Sequence, residues 1–154
     1  MAVITIKNLT KEKSKKFANV IYLNFINLTK YPKLNHNKKE LSRLLTSSNT
    51  RIYLLLHKNK IASYLVGEFI NLDDGRLVFF INYIFTSKLF RDSGLGSTLI
   101  KHSIGVAVKN KCDGIMLICD VENEKINNFY LMRGFMPDVV LRRYDKHDVL
   151  YRKV

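Results

Sequence analysis

Phe90-Arg91-Asp92-Ser93-Gly94-Leu95-Gly96-Ser97 decides the reading of this chain. Leu77 to Thr86, just before it, is rich in β-branched and aromatic residues and reads as a strand. After it, Leu95, Leu99, Ile100, Ile104 and Val108 recur at helical steps, so Gly94 to about Lys109 reads as a helix. The octapeptide is therefore a strand-to-helix turn, where free backbone N–H groups and the helix dipole attract an anion. Gly94 and Gly96 have no Cβ, so a phosphate can approach the backbone closely. Arg91 adds a cation. Charge-assisted hydrogen bonds are worth roughly 1.5–3 kcal/mol each, so a few amides and one arginine can hold a pyrophosphate.

Two common phosphate loops do not fit. A Walker loop needs Gly-Lys-Ser/Thr, and Gly96-Ser97-Thr98 lacks the lysine. A dinucleotide fingerprint needs glycine at position 99, which is leucine. Further along, Cys112-Asp113-Gly114 turns into Ile115-Met116-Leu117-Ile118-Cys119, a continuous apolar run suited to a strand buried on both faces. Glu124 to Arg133 reads as a helix capped by Asn123 and ended by Gly134. Val139 to Arg143 and Val149 to Arg152 should form a closing hairpin.

Toward the N-terminus, Val3 to Ile6 alternates as a first strand, and Thr10 offers the cap of a helix. That helix carries Phe17, Val20, Ile21, Phe25 and Leu28, and Tyr31-Pro32 closes it. Asn37 to Ser47 predicts a second short helix, with Leu41, Leu44 and Leu45 on one face. Three strands follow, Arg51 to His57, Ile61 to Ile70 and Leu77 to Thr86. Lys58-Asn59-Lys60 and Asp73-Asp74-Gly75 supply the turns of an antiparallel meander. Strand 4, helix 3 and strand 5 then make a right-handed β-α-β unit. The expected architecture is an α/β fold: a mixed sheet of six to seven strands with about four helices on both faces, in a single domain over residues 1–154.

The spacing Arg91-x-x-Gly94-x-Gly96 resembles the acetyl-CoA pyrophosphate loop of the GNAT N-acetyltransferase superfamily. Asn123-Glu124-Lys125-Ile126-Asn127-Asn128-Phe129-Tyr130-Leu131-Met132-Arg133-Gly134-Phe135 is similar to that family's next motif, and the order of elements fits along essentially the whole chain. The resemblance implies a sheet splayed between strands 4 and 5. There, the backbone around Ile84, Phe85 and Thr86 would pair with the pantetheine arm. Arg91, Asp92, Ser93, Gly94, Leu95, Gly96 and Ser97 would form the pyrophosphate turn. Asn123 would touch the pantetheine, Ile126 would line its channel, and Tyr130 would protonate the departing thiolate. A phenol of pKa about 10 is protonated at neutral pH and can donate. Packing in the core is the structural reading of Tyr130, although Phe129 is the better core candidate.

Direct transfer also needs a base for the amine, and here the sequence departs from the family. Strand 4 reads Phe79-Phe80-Ile81-Asn82-Tyr83-Ile84-Phe85, with Asn82 where some relatives carry an acid. Glu68, Asp120 and Glu122 are the carboxylates to inspect.

Lys and Arg number 26 against 13 Asp and Glu, a formal charge of +13. Such an excess attracts nucleic acid, acidic proteins or a polyphosphate cofactor. The lysines are mostly scattered, as on a solvated surface. No basic aromatic motif, helix-turn-helix pattern or zinc spacing supports a nucleic-acid module, so nucleic acid is disfavoured as a partner. Four dispersed histidines and two cysteines point to no metal site. With no run of the ~18 apolar residues of a membrane span, the expectation is a soluble cytoplasmic enzyme using acetyl-CoA as acyl donor and an amine as acceptor. A homodimer is compatible with this. A family member that binds CoA without catalysis is the alternative within the fold.

Overall fold

The computed structural model describes residues 2–7, 9–25 and 38–154. Among the described residues, seven strands and four α-helices follow in the order β1 (Ile4–Ile6), α1 (Lys11–Asn24), α2 (Lys38–Thr46), β2 (Thr50–His57), β3 (Lys60–Asn71), β4 (Leu77–Thr86), α3 (Leu95–Lys109), β5 (Gly114–Asp120), α4 (Glu124–Leu131), β6 (Met136–Pro137) and β7 (His147–Lys153). The strands hydrogen-bond in the order β1-β2-β3-β4-β5-β7-β6. β4 and β5 are parallel, with Val78–Ile81 in register with Gly114–Leu117. β1 is antiparallel to β2, and β7 is antiparallel to both β5 and β6. This is the mixed α/β sheet that the sequence leads one to expect.

The chain divides into two compact units. The first comprises Met1–Gly67 and Tyr83–Leu99. Thr10 caps α1 by accepting from the Lys13 N–H, and the helix ends at the Phe25 C-cap. Leu28 and the Tyr31-Pro32 closure lie outside the described residues, as does Asn37. Ser14, Ala18 and Ile21 form the buried stripe of α1, while Val20 is exposed. Leu41 and Leu45 of α2 join Ala18, Ile21, Ile52, Tyr64 and Val66 in one apolar cluster, with Phe25, Tyr83 and Phe85 packed against it. Between β2 and β3, Lys58 and Asn59 take φ of 49° and 64°. Both positive values belong to the tight hairpin turn that suits the right-handed twist of the strands.

The second unit comprises Glu68–Asn82 and Ile100–Val154. Val78, Met116 and Val149 form its strand core, with Phe80 and Tyr151 against them. Gly114 opens β5 where a Cβ would collide with the Tyr151 ring. On α3 the buried positions include Ile100, Ser103 and Ala107, whereas Val108 is 58% exposed and belongs to the outer face. β5 is buried along most of its length, with Ile118 as its exposed position.

Most strand and helix ends lie within one or two residues of the sequence reading, and α4 and the closing hairpin depart from it. α4 stops at Leu131 instead of Arg133, and Gly134 then takes φ 86° to reverse the chain. The closing hairpin forms from Met136–Pro137 with His147–Lys153, so Val139–Arg143 is not a strand. Its apolar residues deceive: Val139 is 93% exposed. Two buried carboxylates hold this segment off the sheet instead. Asp138 accepts from the Leu141 N–H at 2.9 Å, and Asp148 accepts from the Arg143 N–H at 2.7 Å.

Candidate active site

Past the end of β4, a 3₁₀ turn over Lys88–Phe90 leads into the glycine-containing turn. Asp92 and Gly94 both have positive φ, 62° and 84°. Alternation of ordinary and left-handed residues turns successive N–H groups toward one side, the geometry of an anion nest. The Ser93 hydroxyl donates to the Phe90 carbonyl and draws the turn tight. Thr98 donates both its N–H and its hydroxyl to the Gly94 carbonyl, each at 3.0 Å. The amides before Thr98 therefore belong to the first turn, which has no intrahelical acceptors of its own. The first turn of α3 holds no acidic residue, and a Cβ built on Gly94 meets nothing within 4 Å. These features fit a bound pyrophosphate: open space at the glycine, left-handed backbone before the helix and an acid-free first helical turn.

Arg91 folds back over the strand end. Its Nε donates to the Thr86 carbonyl at 3.1 Å, and its guanidinium lies 5.7 Å from the centre of the Phe85 ring. Ser63 on β3 donates to the Phe85 carbonyl at 2.8 Å and lies 2.9 Å from the Thr86 hydroxyl. The predicted residues Phe85, Thr86 and Arg91 are thus brought together, and Ile84 precedes them, half-buried, on the same strand. Ser63 was not legible as a participant. A lone serine in an apolar strand carries no local signal of which carbonyl it will meet.

Asn123 caps α4, its side chain accepting from the Ile126 N–H at 3.3 Å, while Ile126 itself is exposed. Tyr130 is only 7% exposed. It stands edge-on to Phe129 and Phe135, with ring centres 5.2 and 5.6 Å away. Phe129 lies nearer the surface and stacks under the Arg133 guanidinium at 3.7 Å. The two aromatics therefore exchange the places expected of them: Tyr130 is the deeper ring. Burial pushes the Tyr130 hydroxyl well above the ordinary phenol range, with Cys119 adding to the rise and Arg133 opposing it.

The carboxylates separate clearly. Glu68 accepts from Asn82 Nδ2 at 3.2 Å. Asp120 takes the Glu122 N–H at 3.1 Å and pairs with Lys146 at 3.5 Å, and Glu122 is exposed. Cys112 and Cys119 are buried, and burial, aided by a neighbouring aspartate in each case, raises both thiols, Cys119 to about 12. Neither is a thiolate at neutral pH, so neither is a ready nucleophile.

The acetyltransferase (GNAT) family model matches residues 21–135, a span that contains the glycine turn, β5 and all of α4. The chain belongs to the GNAT acetyltransferase family. Solved structures with the same fold include a GNAT family acetyltransferase from Listeria monocytogenes (11% identity, 99% of this chain, 95% of that one, TM-score 0.74). Another is the PaiA N-acetyltransferase of Thermoplasma acidophilum in complex with coenzyme A (12% identity, all of both chains, TM-score 0.71). A third is Arabidopsis thaliana Naa50 with the bisubstrate analogue CoA-Ac-MVNAL (18% identity, all of both chains, TM-score 0.65). No curated protein matches the chain by sequence. Among the described residues of this GNAT chain, no group of three or more His, Cys, Asp or Glu side chains is gathered to hold a metal.

Proposed function

We propose that this chain is an N-acetyltransferase that passes an acetyl group from acetyl-CoA to a primary amine by direct attack in a ternary complex. The observation that carries this reading is the Arg91–Ser97 turn. Positive φ at Asp92 and Gly94, open space at Gly94 and an acid-free helix start supply what a pyrophosphate needs. Arg91, Asp92, Ser93, Gly94, Leu95, Gly96 and Ser97 form this anion site. Ile84, Phe85 and Thr86 offer backbone groups to the pantetheine, and Asn123 and Ile126 bind further along it. The Phe85 and Thr86 carbonyls already accept from Ser63 and Arg91. Each keeps a second lone pair for a ligand N–H.

Acetyl-CoA supplies a thioester-activated acyl group when bound. The residues of the chain orient it and manage protons. Tyr130 is protonated throughout the physiological range, because its hydroxyl titrates far above neutrality. Burial weakens it as an acid in isolation. A thiolate departing into the same apolar surroundings is itself a stronger base than in water, which restores the driving force for proton donation. The high thiol pKa values of Cys112 and Cys119 favour direct attack over an acyl-cysteine route.

In this reading residues 1–154 act as one N-acetyltransferase domain. Two buried free cysteines suit the reducing cytoplasm. Small amines and peptide N-termini are both open as acceptors. Calorimetric titration tests the donor half of the proposal. Acetyl-CoA should bind in the micromolar range, roughly −8 kcal/mol, and the absence of any binding heat or competition by CoA would remove it.

A further inference from the structure

We propose that the groove between α1 and the β1–β2 edge of the sheet binds a free alkyl carboxylate, its chain lying against Ile6, Phe17 and Leu54 and its carboxylate held by Lys13 and Lys16.

The groove follows from how the edge of the first unit is built. β1 and β2 are antiparallel, with Ile6 opposite Ile52 and Ile4 opposite Leu54, so these four side chains share one face. Ile52 is 1% exposed and belongs to the apolar cluster of that unit. It lines the groove from the core side, while Ile6 and Leu54 are half-buried beside it. α1 supplies the opposite wall. Among the described residues the space between the walls is an open groove of about 260 Å³. Both sides are anchored. The Leu9 N–H donates to the Leu45 carbonyl at 2.9 Å, and the Phe17 ring stands edge-on to Tyr64 at 5.3 Å. A preformed apolar groove with a few charged groups at its rim has the composition of a ligand site.

Charge gives the groove a direction. Lys13, Lys16, Phe17 and Val20 line it at helical steps, so the α1 wall is cationic toward the helix start and apolar toward its end. At 1.5 Å per residue that wall is about 10 Å long. No acidic side chain lines the groove, and α1 carries one acid, Glu12, against Lys11, Lys13, Lys15 and Lys16.

A run of methylenes ending in an anion satisfies both halves. The chain leaves water for the apolar walls, and the carboxylate accepts from the ammonium N–H groups. An alkyl ammonium meets only the first requirement. Nucleic acid meets only the second, because its bases need stacking platforms and these walls are mostly aliphatic. A second copy of the chain would bring like charge, since residues 1–60 hold thirteen Lys and Arg against two acids, Glu12 and Glu40. None of the residues lining the groove is among those proposed for acetyl-CoA.

The test uses the full chain, labelled at its methyl groups and observed by NMR, with sodium carboxylates kept monomeric. Decanoate should give saturable shifts of the Val20 and Leu54 methyl signals. From hexanoate to octanoate to decanoate, affinity should rise about 4- to 15-fold per step, the range from half-buried to fully buried methylenes. Decyltrimethylammonium should bind at least about tenfold more weakly than decanoate, because it makes no charge-assisted hydrogen bond to the lysines. Lys13→Glu combined with Lys16→Glu changes two exposed residues and should reverse that order in folded protein. Val20→Asp, at a position 40% exposed, should weaken decanoate about tenfold. Unmoved methyl signals, an affinity indifferent to chain length, or equal binding of the two head groups overturns the proposal. Shifts that appear with phosphatidylglycerol vesicles and not with monomeric decanoate also overturn it, and make the surface a membrane contact.

Discussion

Arg91 donates from Nε to the carbonyl of Thr86 at 3.1 Å, so the cation of the glycine turn is tied to the last residue of β4. The bond uses the inner nitrogen of the guanidinium and leaves the outer fork as the group that can meet an anion. Replacing Arg91 by Gln should weaken acetyl-CoA binding by roughly 10- to 150-fold, the equivalent of a charged hydrogen bond of about 1.5–3 kcal/mol. Titration calorimetry on the variant checks this, and an unchanged Kd would remove Arg91 from the site.

Gly94 separates backbone strain from steric blockade. With φ at 84° and nothing within 4 Å of a built Cβ, substitution strains the backbone without meeting neighbouring atoms. Gly94→Val should therefore lose about 1–2 kcal/mol of stability through the left-handed conformation. It should also lose acetyl-CoA binding in protein that remains folded. Denaturant midpoints give the first quantity and calorimetry the second. A variant that binds normally would show that the open side of Gly94 is not where the ligand approaches.

Tyr130→Phe keeps both edge-on ring contacts and removes only the hydroxyl. The fold and CoA affinity should persist, while turnover falls about 10²–10⁴-fold. Single-turnover kinetics provide the check, because they isolate chemistry from product release. An unaltered chemical rate would reduce Tyr130 to a packing residue.

Burial also sets the alkaline stability. Tyr53, Tyr64 and Tyr83 are each raised to about 12, in every case chiefly by burial. Between pH 10 and 12 the unfolded chain has released these protons and the folded chain still holds them. The folded state then binds more protons, so stability is retained below pH 10 and falls as pH rises through that window. Each such tyrosine contributes a slope of about 1.36 kcal/mol per pH unit. Tyr53→Phe should flatten the decline by about one such increment in denaturant titrations run at successive pH values. An identical slope would show that Tyr53 titrates alike in both states.

The elements that carry strong local signals were legible in the sequence. Leu77–Thr86 is a strand with the expected bounds, and Thr10 and Asn123 cap their helices because their short side chains reach back to the first-turn amides. The glycine turn was equally plain, since no other residue takes a φ of 84° so cheaply. Long-range partners were not legible. Val139–Arg143 has the composition of a strand, but the buried carboxylates of Asp138 and Asp148 claim its backbone. Hydrogen bonds from residues outside a segment leave no periodicity within it. For the same reason the sequence offered Glu68, Asp120 and Glu122 as equals, and only the fold joins Glu68 to Asn82. Phe129 reads from the sequence as the better core candidate of the pair. In the fold the Arg133 guanidinium stacks on Phe129, which lies nearer the surface, and Tyr130 is the deeper ring.

The proposed transfer of an acetyl group to a primary amine leaves an acetamide as its product. Mass spectrometry with isotopically labelled acetyl-CoA and a library of amines addresses it directly. Labelled acetamides of primary amines should form in step with released CoA, and none should form from tertiary amines. Release of CoA without any labelled amine product, or no reaction under conditions where acetyl-CoA is shown to be bound, would contradict it.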